Sequence, residues 1–210
     1  MRWLCLVSLL LLQQLLSAQN KFFTSTGLRH LDTAISYEKV TERTGRNDGP
    51  IITKFLKSVG LREGMPYCAS FVSYVLTVNK IPIPSIRSGL AQAFKKSEYV
   101  VSARDVMMGL YTIPKGSIII WEKAGSSQGH VGFVIQDWKG PNGITIEANT
   151  SPSEKGNQRD GEGIYIKKRR IVPTDVLSIK YFALVFYNKD DKPLIPINGY
   201  KRAFLINQSR

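Results

Sequence analysis

The chain has 210 residues, of which 43% are hydrophobic and 21% are charged. This balance suits one folded domain of ordinary size and excludes an intrinsically disordered chain. Lysine and arginine total 29 against 16 acidic residues, and the formal charge of +13 at pH 7 indicates an anionic partner. Two cysteines are too few for a Cys₄ zinc site or a disulfide-rich scaffold.

The first 18 residues have the pattern of a secretory signal peptide. A short basic start is followed by an apolar run over residues 3–12, and the small residues Ser17 and Ala18 offer a cleavage site before Gln19. The apolar run is shorter than the roughly 20 residues that span a bilayer, so we expect no permanent membrane anchor. The predicted mature protein is a single domain of residues 19–210, exported to the periplasm or to the extracellular space and cell wall.

Helical spacing of apolar residues dominates the first half of this domain. The pattern predicts helices over residues 31–40, 50–59, 68–76 and 85–96, separated by loops rich in glycine and proline. Cys68 lies where the third of these helices begins. It is the only cysteine left after cleavage, because Cys5 is in the signal peptide.

Two interpretations of Cys68 remain open from the residue alone. A free cysteine is often a small buried apolar residue. A thiol at a helix N-terminus, however, meets the positive end of the helix dipole and unpaired backbone amides, which favour the thiolate and could hold an oxyanion. Cys68 is therefore a candidate nucleophile.

From residue 115 onward the chain predicts short strands instead of helices. β-branched and aromatic runs bounded by turn residues cover residues 117–121, 131–136, 144–147, 163–167 and 181–187. Helices followed by strands, without regular alternation, indicate an α+β fold with N-terminal helices packed on an antiparallel sheet of about five to six strands.

His130 opens one of these strands, between Gly129 and Gly132, and is the histidine best placed for base chemistry. If Cys68 were absent, a half-exposed strand histidine would be the better interpretation. His30 lies in a charged stretch that we expect to be solvated, and it receives no role. Glu147 and Asn149 follow on the next strand, and residues two apart on a strand face the same way, so both could project toward His130 and orient it.

The segments around these residues resemble CHAP domains, the cysteine, histidine-dependent amidohydrolases and peptidases of bacterial and phage cell-wall lysis, which share a papain-like core with NlpC/P60 enzymes. The matching strings are residues 64–74, 114–121, 129–134 and 146–150, within a region of about residues 40–170. The resemblance implies a papain-like CHAP fold with a core over about residues 40–187. It also implies Cys68 as nucleophile, His130 as general base, Glu147 as its orienting group and Asn149 as a further polar site residue.

Two more expectations concern what the site binds. Tyr67, next to the candidate nucleophile, is a candidate wall of the substrate pocket. Some CHAP domains carry an acidic calcium loop before the cysteine, but Asn47, Asp48 and Glu63 are too few and too scattered for six or more oxygen ligands. We therefore expect no metal and no cofactor.

The basic string Lys167-Lys168-Arg169-Arg170 is the strongest local charge signal. It is either a solvated strand end or a surface that binds peptidoglycan carboxylates or other anionic envelope polymers, and in both cases we expect it to take no part in the catalytic group. Nucleic acid is a poor candidate partner, because no recognition motif is present.

The leading hypothesis is an exported monomeric cysteine hydrolase that cleaves an amide bond in peptidoglycan, either as an N-acetylmuramoyl-L-alanine amidase or as an endopeptidase. The alternative is a non-catalytic, basic module that binds the cell envelope and retains the fold. A weaker third possibility is a thiol that cross-links to another chain.

Overall fold

The computed structural model describes residues 26–81, 85–96, 100–102, 106–107, 112–123, 127–153, 160–171 and 179–184. The predicted signal peptide, with Cys5, lies outside these residues, as does the segment after residue 184. None of the helices in the described part of the chain is long and apolar enough to span a membrane.

Within the described residues, three α-helices precede the main strands: α1 (Arg29–Ile35), α2 (Pro50–Lys57) and α3 (Cys68–Val78). Pro50 occupies the first turn of α2, where a missing backbone N–H costs nothing. Helix α3 is buried along its length as far as Leu76, so it forms the centre of the helical layer. Helix α1 ends before the predicted residue 40, and Lys39 beyond it has a left-handed φ of 67°. The fourth predicted helix is a 3₁₀-helix over Ala91–Lys96.

The strands form one antiparallel sheet, which comprises β1 (Val100–Ser102), β2 (Ile118–Lys123), β3 (Gly129–Val134), β4 (Asn142–Thr150), β5 (Gly163–Arg170) and β6 (Ile179–Leu184). Their order across the sheet is β1-β6-β2-β3-β4-β5. The expected mixed α+β class, with helices before an antiparallel sheet, is confirmed. The short strand β1 was not among the predicted strands.

Helix α3 packs on the sheet against β3 and β4, and this contact brings the start of the helix to the candidate strands. The main core includes Phe71 and Val75 of α3, together with Phe133 of β3 and Ile146 of β4. A smaller apolar cluster forms around Trp138, with Ile119 and Val134 among its members. The core thus fixes Cys68 relative to the two strands that carry His130 and Glu147.

His30 corrects one expectation. The charged stretch around it was interpreted as solvated, but its imidazole is completely buried and Nε2 lies 2.9 Å from the carbonyl oxygen of Gly116. The helical period explains the difference, because His30 and Leu31 of α1 face the core while Arg29 faces solvent.

Candidate active site

Cys68 is the first residue of α3, as the sequence predicted. Its side chain is a free thiol that is only 6% exposed. Tyr67 precedes it at the N-cap and provides no side-chain cap to the helix. The first backbone N–H groups of a helix have no partner within the helix, so this position offers hydrogen-bond donors beside the sulfur.

His130 lies near the start of β3 and is buried. Its Nε2 is 2.8 Å from Oε2 of Glu147, whereas its buried Nδ1 has no hydrogen-bond partner. The Cys68 side chain is a neighbour of the ring. Burial alone would disfavour the charged imidazole, but Cys68 and Glu147 outweigh it and raise the pKa of His130 to about 9. The side chain of Cys68 therefore lies beside a His130 ring that favours its protonated form, the imidazolium.

Glu147 is completely buried near the middle of β4, yet it remains a carboxylate. Burial opposes its charge, but Arg169 and His130 lower the pKa of Glu147 to about 2. Nε of Arg169 donates to Oε1 at 2.7 Å, and Nη2 of Arg169 donates to Oε2. The hydroxyl of Thr145 donates to Oε1 at 2.5 Å. Because this carboxylate can only accept, Nε2 of His130 must carry a proton toward it.

Asn149 does not follow the two-residue alternation that the sequence analysis assumed. The register between β4 and β5 shifts between Ala148 and Thr150, and Asn149 within this bulge has a left-handed φ of 60°. Its Oδ1 accepts a hydrogen bond of 2.9 Å from the backbone N–H of Tyr67, and Nδ2 donates to Asp160 at 3.1 Å. Asn149 thus holds the residue before Cys68, while Glu147 occupies Nε2 of His130.

Tyr67 belongs to the core and does not form a wall of the cleft beside Cys68. Its side chain is fully buried, and it is absent from the residues that line the cleft in the described part of the chain. Burial, together with the nearby Glu42 carboxylate, raises the pKa of its hydroxyl. The sequence interpretation of Tyr67 as a substrate contact was wrong, because it judged adjacency along the chain and not side-chain direction.

The basic string is not the exposed surface that was expected. Lys167 is 2% exposed, and its Nζ donates to the carbonyl oxygens of Ser151, Pro152 and Ser153 at 2.7, 3.1 and 3.3 Å. Arg169 binds Glu147, so the expectation that these residues take no part in the site was also wrong. Lys168 and Arg170 alternate with them and are exposed. The period of two along a strand was the signal that could have separated the two pairs.

A cleft of about 730 Å³ opens beside Cys68. One wall comes from the segment before α3 and includes Leu61, Met65 and Pro66, and the other includes Leu90 and Ala91. The walls approach closely, because a Cβ on Gly89 would lie 2.3 Å from Cδ1 of Leu61. The cleft is therefore narrow at Gly89, and its lining combines these apolar residues with polar ones such as Ser127 and Gln128.

Among the described residues, no three histidine, cysteine, aspartate or glutamate side chains are arranged to hold a metal ion. The chain matches no protein-family model, and no curated protein is significantly similar to it. Functional assignment therefore depends on the geometry of the site and on the motifs in the sequence.

Proposed function

We propose that the protein is an exported cysteine hydrolase of the papain-like CHAP type that cleaves an amide bond in bacterial peptidoglycan. The observation that carries the proposal is the buried chain of contacts from Cys68 through His130 to Glu147, beside an open cleft. A nucleophile next to a base, with that base oriented by a third group, is the arrangement used in acyl transfer. The order of helix, cysteine, histidine and glutamate along the chain supports the same assignment.

The first half of the reaction forms a thioester. The Cys68 thiolate attacks the amide carbonyl carbon, and the electron pair of the C=O bond moves to the oxygen. The backbone N–H of Cys68 stabilises that oxyanion. The imidazolium of His130 then gives its proton to the amide nitrogen as the C–N bond breaks, and the amine leaves.

The second half releases the acid and restores the enzyme. Neutral His130 accepts a proton from water, whose oxygen attacks the thioester carbonyl. When the second tetrahedral intermediate collapses, the C–S bond breaks, so the products are a carboxylic acid and the Cys68 thiolate paired with imidazolium. Glu147 keeps Nε2 occupied throughout, which leaves Nδ1 to face the sulfur and the substrate.

The lining of the cleft suits an extended peptide substrate. Leu61, Met65 and Leu90 offer apolar contacts, and the described charged residues in the lining are Arg87 and Asp160. The guanidinium of Arg87 donates to the backbone oxygens of Ile81 and Ile86 and to the hydroxyl of Thr77 in α3, so it is held by its own loop and the end of that helix. Short, largely uncharged residues on either side of the scissile bond would fit between these walls.

The non-catalytic envelope-binding alternative leaves the polar network unexplained. Desolvation offsets much of the attraction between a buried carboxylate and its two cationic partners, so stability alone does not account for the network. Such a module would not need Cys68 beside His130. A thiol that cross-links chains is also disfavoured, since Cys68 is buried at the edge of a narrow cleft.

Digestion of purified peptidoglycan tests the proposal. The protein from residue 19 onward and its Cys68→Ala and Cys68→Ser variants would be incubated with peptidoglycan sacculi, and the soluble products analysed by mass spectrometry. We expect fragments with new amine and carboxyl ends from the wild type only, and their masses would distinguish amidase from endopeptidase cleavage. Equal product from Cys68→Ala, with circular dichroism showing that both proteins are folded, would refute the cysteine mechanism.

A further inference from the structure

Glu147 is bound by two cationic groups at once. The imidazole of His130 in β3 donates a hydrogen bond to Oε2, while the guanidinium of Arg169 in β5 donates to both carboxylate oxygens. Arginine is suited to this contact because its planar guanidinium can donate two hydrogen bonds to one carboxylate. The carboxylate is consequently fixed in both position and orientation.

Arg169 is itself held in place. Its guanidinium lies over the indole of Trp121, 5.3 Å from the ring centroid, and its side chain is only 16% exposed. The same indole lies 5.7 Å from the imidazole of His130, with 40° between the two planes. Trp121 of β2 is also the direct strand partner of His130. One aromatic ring therefore braces both cationic partners of Glu147.

We propose that Arg169 is a positioning residue of the thiol site, which immobilises Glu147 and also limits how strongly Glu147 can hold the proton of His130. The inference rests on the proposed chemistry of Cys68 and His130. Two consequences of the geometry can be separated. The paired hydrogen bonds set the angle of the imidazole toward Cys68, and the positive charge of Arg169 repels the nearby imidazolium.

The two consequences predict separate effects when Arg169 is changed, one on the pH at which His130 loses its proton and one on the reactivity of Cys68. In Arg169→Gln the repulsion is lost, so His130 should hold its proton to a higher pH, by about one unit. The loss of the anchoring hydrogen bonds should meanwhile reduce the reactivity of Cys68, by about tenfold. Arg169→Lys keeps the charge without the paired donors, so it should show the reduced reactivity without the pH shift.

The rate of Cys68 alkylation by iodoacetamide measures both effects without a peptidoglycan substrate. The rate would be recorded from pH 4 to pH 11 for the protein from residue 19 onward, in which Cys68 is the only thiol. The inflection at high pH, where His130 loses its proton, gives the shift, and the rate at neutral pH gives the reactivity. Arg170→Gln is the matched control, since it makes the same chemical change at the adjacent exposed position of β5.

The inference predicts a raised upper inflection and a lower rate in Arg169→Gln, a lower rate alone in Arg169→Lys, and wild-type behaviour in Arg170→Gln. Wild-type profiles in both Arg169 variants would overturn it, as would a rate loss in Arg169→Gln with an unmoved inflection. If Arg169→Gln does not fold, a wild-type rate in Arg169→Lys overturns the inference and a lowered rate supports it. Failure to digest peptidoglycan, with the Arg169 effects intact, would refute the proposed substrate and leave the role of Arg169 standing.

Discussion

Gly132 of β3 lies directly opposite Glu147 of β4, and a Cβ atom added to Gly132 would come within 2.6 Å of Cγ of Glu147. The second glycine of the Gly-His-Val-Gly string therefore makes room for the carboxylate that orients His130. Gly132 thus provides space for a side chain of the neighbouring strand, and it is not among the described residues that line the cleft. The glycine and the glutamate form a steric pair that neither residue type reveals by itself.

Gly132→Ala should displace Glu147 and separate it from Nε2 of His130. We expect the rate of Cys68 alkylation to fall about tenfold or more, together with destabilisation of about 1–3 kcal/mol from overpacking. Phe133→Leu is the control, because it truncates a core residue of the same strand and destabilises the fold without crowding Glu147. Urea unfolding and Cys68 alkylation per folded molecule would be compared. Similar alkylation rates in the two variants would show that room beside Glu147 is unimportant.

Glu147→Gln should keep the size of the side chain and remove its charge. The amide cannot stabilise the imidazolium as a carboxylate does, and Arg169 loses its ionic partner, so we expect kcat to fall by about 10²-fold. Thr145→Val is a useful comparison because it removes the hydroxyl that donates to Oε1 and leaves the carboxylate of Glu147 in place. Steady-state kinetics on a soluble peptidoglycan fragment would measure both. A loss in Thr145→Val as large as that in Glu147→Gln would mean that the charge is not the decisive property.

Asn149→Gly should act on the position of the nucleophile, because it removes the acceptor for the backbone N–H of Tyr67. Glycine tolerates the left-handed φ of 60° at this position, so the substitution isolates the lost hydrogen bonds. We expect about 1–3 kcal/mol of destabilisation and an unchanged high-pH inflection for His130. If that inflection falls as it does in Glu147→Gln, Asn149 is the residue that orients His130 and the present assignment is reversed.

The pH dependence of turnover should show a loss of activity on the alkaline side. The raised pKa of His130, about 9, means that the imidazolium persists through neutral pH and disappears as the pH rises past that value. The leaving amine then has no proton donor, so kcat/KM should fall above about pH 9. In Glu147→Gln the raising effect of the carboxylate is lost and the fall should begin at lower pH. A profile that is flat from pH 7 to pH 11 would exclude His130 as the acid.

Lys167→Met tests whether this part of the basic string is structural. The substitution removes the ammonium of a buried lysine from the carbonyl oxygens of Ser151, Pro152 and Ser153, so we expect a destabilisation of about 1–3 kcal/mol. Lys168→Met changes an exposed side chain on the same strand and should alter stability by no more than about 0.5 kcal/mol. Thermal unfolding would measure both. Equal stability of the two variants would mean that water replaces the ammonium without cost.

Local patterns in the sequence predicted the order of the main elements and the residues of the candidate site. Pro50 and the apolar spacing after Cys68 mark where helices begin, and both starts agree with the structure. The glycines around His130 and the β-branched residues near Glu147 mark strands, and both strands are present. These features are predictable because each depends on neighbours within a few residues along the chain.

Side-chain direction and pairing were decided only by the tertiary structure. A single extra residue at the bulge turned Asn149 away from the face that the two-residue period assigned to it. Arg169 meets Glu147 from 22 positions away, through the register of β4 and β5, and no local pattern encodes that register. The sequence by itself determined that a helix begins at Cys68 and that His130 lies at the start of a strand. Long-range strand pairing decided which side chains bind the buried carboxylate of Glu147, because that pairing alone brings distant side chains within hydrogen-bond distance.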